Sequence, residues 1–221
     1  MTGTRFAWWG DDEATKALCA FHRELNGETA DKAGRAALRR ARTPQEAALV
    51  PVVGVLRRAI RDKQIKISDD DIDTAAILVA EIGTDWQQPQ MTGRASTDAP
   101  TEEIADIPDE AAPSSNLAHG GPDRRGFSHL ARCFAERLAV PNSNGKPASP
   151  ERVRLLLSTE DAAEFLRLLR ALLDLLDRTA PLTAVIETTR RWSRQGQRAE
   201  TRAAIARPYY ELVAPALLKK E

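Results

Sequence analysis

Strand-forming runs are largely missing from this 221-residue chain: alternating β-branched and aromatic residues bounded by turns do not occur. No apolar run approaches the roughly 18 residues that a membrane span requires. The first residues, Met1 to Asp12, lack the basic, apolar and small-residue regions of a secretory signal, so a cytoplasmic protein without membrane contact is expected. Twelve glycines include no phosphate-binding loop and no nucleophile elbow, and three histidines include no zinc-protease helix. An enzyme is therefore not expected, nor a cofactor. The two cysteines, Cys19 and Cys133, lie far apart, and no disulfide is expected between them. Aromatics make up only 5% of the chain, which argues against reading of bases by stacking.

What is present is charge, and it is sorted. The chain is formally neutral, yet residues 1–31 carry −3, 32–63 carry +7, 64–123 carry −11 and 124–221 carry +7. Of the 32 basic residues, 25 are arginine, whose planar fork suits bidentate phosphate contacts.

Helix punctuation recurs along the chain. A first helix is predicted over about Asp11–Leu25, stopping at Asn26-Gly27, and a second over Asp31–Arg42. Thr43-Pro44-Gln45-Glu46 reads as an N-cap, a proline at the first helical position and a capping-box acid. The helix it opens has an apolar stripe of Leu49, Val52, Val53, Leu56 and Ile60, with Pro51 set to kink or split it. Ser68 followed by Asp69, Asp70 and Asp71 starts a fourth helix ending near Gly83. From Thr84 to Pro122 the pattern collapses into an acidic segment interrupted by Pro89, Pro100, Pro108, Pro113 and Pro122, which reads as a linker or insertion.

Beyond it, helices are expected over Phe127–Leu138, from Ser149-Pro150 with Val153 and Leu155–Leu157, and after Ser158–Asp161. The last of these lines Phe165, Leu168, Leu169, Leu172, Leu175 and Leu176 on one face and sets Arg167, Arg170, Asp174 and Arg178 opposite. A helix after Pro181 carries Leu182, Val185, Ile186 and Trp192 inward, and a final one holds Ile205, Tyr209, Leu212 and Val213. The expected fold is all-α, two helical bundles (residues 1–83 and 123–221) joined by the acidic, proline-rich connector 84–122.

Cys19 with His22 and His129 with Cys133 stand at helical spacing and could supply four zinc ligands, but each pair reads better as packing and surface residues. The Asp69–Asp73 carboxylates read as compensation of a helix dipole rather than a magnesium site. The arginines are the stronger candidates. Arg35, Arg39 and Arg42, with Arg40 beside them, form a row about 10 Å long on a helix rising ~1.5 Å per residue. Arg57, Arg58 and Arg61 form a second group, with Arg124-Arg125, Arg152-Arg154 and Arg190-Arg191-Arg194 further on. These groups have few acids near them in sequence, which points to contacts with a sugar-phosphate backbone.

The stretch Gly34-Arg35-Ala36-Ala37-Leu38-Arg39-Arg40-Ala41 resembles the Gly-x-Arg-Ala-x-Leu-Arg-Arg-Ala stretch of the CasB family, the small subunit of the type I-E CRISPR surveillance complex Cascade. Arg152–Leu157, Phe165-Leu166 with Leu168–Arg170, Leu182, Trp192 and Ala206-Arg207-Pro208-Tyr209-Tyr210 extend the resemblance in order. It implies a non-catalytic helical subunit, present as a pair, that helps hold the guide-target hybrid and the displaced strand of an R-loop. Its implied partners are the CRISPR guide RNA, the target DNA, the backbone and large Cascade subunits and a second copy of itself. Modest backbone contacts suffice there, because R-loop formation exchanges nearly balanced base pairs. The resemblance assigns nucleic-acid contacts to Arg35, Arg39, Arg40, Arg154 and Arg170; charge clustering adds Arg58, Arg124, Arg125, Arg191 and Arg194. Two other classes fit the residues: a stand-alone helical DNA-binding regulator, with a helix-turn-helix at Arg42-Thr43-Pro44, and a protein-interaction scaffold.

Overall fold

Five helix starts expected from the sequence carry a side-chain cap in the computed structural model, which describes residues 12–27, 30–86 and 123–218. Helix α1 spans Asp12–Asn26 and α2 Lys32–Arg40, the latter opened by Asp31, whose carboxylate accepts from Gly34 N at 2.8 Å. Thr43 caps α3 (Pro44–Ala48), Ser68 caps α5 (Asp69–Glu81), Ser149 caps α7 (Pro150–Ser158) and Asp161 caps α8 (Ala162–Leu175). Each satisfies an amide that the first helical turn leaves without an internal acceptor. The remaining helices are α4 (Val53–Asp62), α6 (Asp123–Ala139), α9 (Leu182–Trp192) and α10 (Gln195–Leu218). Two two-residue strands, β1 (Thr84–Asp85) and β2 (Thr179–Ala180), pair in parallel, and all other regular elements of the described chain are helices, as expected of an all-α protein. None of the described helices is long and apolar enough to cross a membrane, and no disulfide joins Cys19 to Cys133. Most of the expected connector, residues 87–122, lies outside the described residues.

The predicted third helix is two. Pro51 ends the stretch begun at Pro44, and a turn at Leu49–Val52 re-aims the chain before α4 starts. Leu49 therefore leaves the apolar stripe and stands 83% exposed, whereas Val53, Leu56 and Ile60 are buried. Leu155 likewise faces out of α7 while Val153 and Leu156 face in. In α8 the buried face is Phe165, Leu166, Leu169, Leu172 and Leu173, with Leu168 and Leu175 half-buried beside it.

Helices α1 to α5 pack chiefly on one another, as do α6 to α10, and α5 also packs on α8 and α9. That placement explains the composition of α5: Ile72 to Glu81 are all buried apart from a half-buried Thr74, because its two sides meet different halves of the molecule. In the C-terminal half Phe165 stacks on Trp192 at 4.3 Å between ring centroids, and Tyr209 donates its hydroxyl to Ala148 O at 2.6 Å.

The helix C-termini follow a rule that the sequence does not advertise. Without a glycine directly after them, α2, α5, α8 and α9 use side chains to satisfy their last carbonyls, chiefly arginines. Arg170 donates to Arg39 O and to Ala41 O (2.7 Å) at the end of α2. Arg35 Nε (3.3 Å) and Arg39 Nε (3.0 Å) share Ala80 O near the end of α5, where His22 Nε2 also meets Ile82 O at 3.0 Å. Arg137, 4% exposed, reaches Thr179 O (2.7 Å) and Leu176 O (2.8 Å) beyond α8, and Asn142 takes Leu175 O at 2.7 Å. Arg198 Nε takes Trp192 O at 2.6 Å. Each cation stands at the negative end of a helix dipole, a favourable position for it.

Candidate nucleic-acid interface

Among the described residues, folding brings acids of the acidic block against arginines of the basic blocks. The acidic first turn of α5 lies against the basic helix α4, so Arg57 forks onto Asp73 (2.6 to 3.1 Å) and Arg61 pairs with Asp69 at 3.0 Å. Asp71 receives Arg194 at 3.2 Å from the other half. Asp73 is 2% exposed, and burial pushes its carboxyl above the ordinary range although Arg57 draws it down. The expectation that these arginine groups lack acids nearby is thus corrected for Arg57, Arg61 and Arg194: the acids are distant in sequence and adjacent in space.

A second acidic centre collects the motif arginines. Glu81, at the end of α5 with its side chain 5% exposed, pairs with Arg170 at 2.6 Å and Arg178 at 2.8 Å, with Arg39 at 3.9 Å. Arg178 also pairs with Asp174 at 2.6 Å. Burial, and then the charge of Arg178, push Arg35 and Arg39 below the usual arginine range, as crowding of cations requires. Arg35, Arg39 and Arg170, placed by the motif on two separate helices, converge on a single helix end.

A third centre is Glu187, 0% exposed on α9, held by Arg190 and by Arg191 Nε at 3.1 Å. Arg191 is 3% exposed and its guanidinium lies 4.0 Å from the centre of the Phe127 ring, so it faces the interior of this conformation. Arg194 is 42% exposed but held by Asp71. Arg124 and Arg125 lie outside the residues whose side chains are described.

Among the arginines of the predicted rows and motifs a smaller set remains outward, and Arg23 on α1, also exposed and without an ion pair among the described residues, belongs to none of those rows. Arg40, Arg42, Arg58, Arg152, Arg154 and Arg207 are exposed and form no ion pair among the described residues. Of these, Arg40, Arg58 and Arg154 are among the sequence-predicted contacts. Arg42 and Arg152 belong to the predicted rows, and Arg207 to the C-terminal motif. Arg154 shares a groove of about 300 Å³ between α7 and α10 with Leu157, Ser158, Arg202, Ala206 and Tyr210. Tyr210 is the exposed aromatic of the described residues, at 37%, and composition alone gave no reason to single it out. Its neighbour Tyr209 is buried, its ring tilted 73° to that of Tyr210, and burial pushes the Tyr209 hydroxyl up to about 12.

Metal chemistry gains no support from the geometry. Among the described residues no three His, Cys, Asp or Glu side chains gather to hold an ion, so the four candidate zinc ligands stay two separate pairs. His129 Nε2 lies 3.7 Å from Cys133 Sγ, and His22 is taken by a carbonyl.

No curated protein and no solved structure matches the chain. The model of the family described as CRISPR-associated protein Cse2 matches residues 34–210, from the glycine that opens the α2 motif to Tyr210, and the chain belongs to that family, the CasB small subunits of Cascade.

Proposed function

We propose that this subunit of a CRISPR surveillance complex stabilises the R-loop through phosphate contacts made by Arg40, Arg42 and Arg58 in one half and Arg152, Arg154 and Arg207 in the other. The observation that carries the reading is the accounting of charge above. These six arginines are exposed and form no ion pair among the described residues, whereas Arg35, Arg39, Arg57, Arg170 and Arg191 are engaged by carbonyls or carboxylates. An exposed guanidinium without an acid partner keeps its fork for a phosphate, and the contact releases counterions. Family membership supports partnership with other Cascade subunits and with nucleic acid, and a structural rather than catalytic part. Guide RNA, target strand and displaced strand are the proposed nucleic-acid partners, and a second copy of the subunit the proposed neighbour.

Tyr210 extends the proposal. An exposed ring beside Arg154 and Arg202 offers one unpaired base a stacking surface, the arrangement used for sequence-tolerant binding of single strands. The test is R-loop binding by the complex reconstituted with Arg40, Arg58 and Arg154 changed to Glu. Weakened binding at unchanged assembly supports the reading, and wild-type binding refutes it.

A further inference from the structure

Glu81 belongs to the N-terminal half, and its two closest arginines belong to the C-terminal half: Arg170 on α8 and Arg178 in the turn after it. Arg170 does more than neutralise Glu81. It also donates to Arg39 O and Ala41 O, the carbonyls on either side of Arg40 and directly before Arg42. One guanidinium from the second half thus grips the backbone from which two outward arginines of the first half project.

The turn that carries Arg178 is held just as firmly. Asp177 (φ 56°) and Arg178 (φ 55°) both adopt the left-handed backbone, unfavourable for residues with a Cβ. Asp177 is fixed by Ser143 N at 2.7 Å and Ser143 Oγ at 2.8 Å, and Arg178 by Glu81 and Asp174. Arg178 O accepts from Gly83 N at 2.8 Å, β1 pairs with β2, and Asp85 caps α9 by accepting from Leu182 N at 2.9 Å. The backbone bonds across the halves, with the Arg178–Glu81 and Leu182–Asp85 contacts, lie within the short stretches 81–86 and 176–182, while Arg170 reaches the end of α2 and Arg194 reaches Asp71 outside them. Strain kept in place by such surroundings is a mark of a position where geometry matters.

We infer that the joint of Glu81 with Arg170 and Arg178 is a positioning device, which aligns the outward arginines of the N-terminal half with those of the C-terminal half so that both follow one phosphate backbone. The inference rests on the proposed nucleic-acid contacts, but the alignment itself stands apart from them. It carries an unusual sign. Replacing Glu81 by glutamine makes the protein more positive, and a binding site governed by net charge would then hold nucleic acid more tightly. Loss of alignment does the opposite.

The experiment uses the full chain with Cys19 and Cys133 replaced by alanine and spin labels on cysteines placed at the exposed helical positions Ala36 and Ala199. The distance distribution between the labels is measured by pulsed electron resonance in Glu81→Gln, without nucleic acid. The joint predicts a broader distribution than in the parent, and an unchanged one overturns it. Affinity for an R-loop, measured in the reconstituted complex at fixed salt, is then expected to fall about tenfold, within the range of ordinary coupling between sites. Tighter binding by Glu81→Gln overturns the positioning role. Arg170→Lys provides the second variant, since it keeps the charge but a single ammonium lacks the planar fork. It too is expected to broaden the distribution and weaken binding, and parental behaviour in both counts against the joint. A broadened distribution with no nucleic-acid binding by the parent complex retains the joint and removes the proposed contacts instead.

Discussion

Arg39 and Arg40 are neighbours in sequence and opposites in the molecule, as are Arg57 and Arg58. Arg39 turns to Ala80 O and Glu81, and Arg57 to Asp73, at the interior surfaces of α5; Arg40 and Arg58 turn to solvent. Successive residues on a helix point about 100° apart, so a pair of arginines divides between two environments whenever one flank of the helix is packed. The inner region consists of arginines that satisfy carbonyls and buried carboxylates. The outer region consists of exposed arginines that form no ion pair among the described residues. A basic run in a helical protein is therefore not one object, and a motif that names such a run names inward and outward residues together.

Removal of a buried acid has the largest expected effect on the inner arginines. Glu187→Ala removes the buried carboxylate that Arg190 and Arg191 share, with an expected loss of about 3–5 kcal/mol by urea denaturation. Arg57→Ala strands the 3%-exposed Asp73 side chain and should cost about 3 kcal/mol, while Arg58→Ala next to it should stay within about 0.5 kcal/mol. Equal effects in the two would abolish the distinction between inner and outer arginines. A smaller effect belongs to Tyr209→Phe, which leaves Ala148 O without its hydroxyl donor and should cost about 1–2 kcal/mol. The same residue gives a pH signature. Its hydroxyl titrates near 10 when unfolded and at about 12 when folded, so its contribution is complete below pH 10 and is lost as pH rises towards 12. Thermal melts of the parent should fall more steeply across that window than those of Tyr209→Phe.

Sequence reasoning reached the helices because their starts are local. Asp31, Thr43, Ser68, Ser149 and Asp161 each cap an amide three residues on, a relation visible in the letters. The helix ends were another matter. Arg170 meets Arg39 O across 131 residues and Arg137 meets Thr179 O across 42, distances at which neither periodicity nor spacing carries information. Arg137 follows Glu136 on α6, and nothing in that local sequence marks it as a buried residue. The charge blocks misled in the same way, since Asp69 and Asp73 neutralise arginines 8 and 16 residues earlier. Leu49 was misplaced because the break at Pro51 resets the helical phase. Within the family motif, Arg35 and Arg39 serve the end of α5, while Arg40 faces solvent.

The outward arginines, rather than the inward ones, are proposed to hold phosphate. The salt dependence of single-strand binding in the reconstituted complex, compared between Arg40→Gln/Arg58→Gln/Arg154→Gln and the parent, decides between the two sets. Three lost contacts should reduce the slope of log affinity against log salt by about 2, at roughly 0.7 per phosphate on a single strand, with the melting temperature unchanged. A slope equal to that of the parent would mean that these three arginines hold no phosphate.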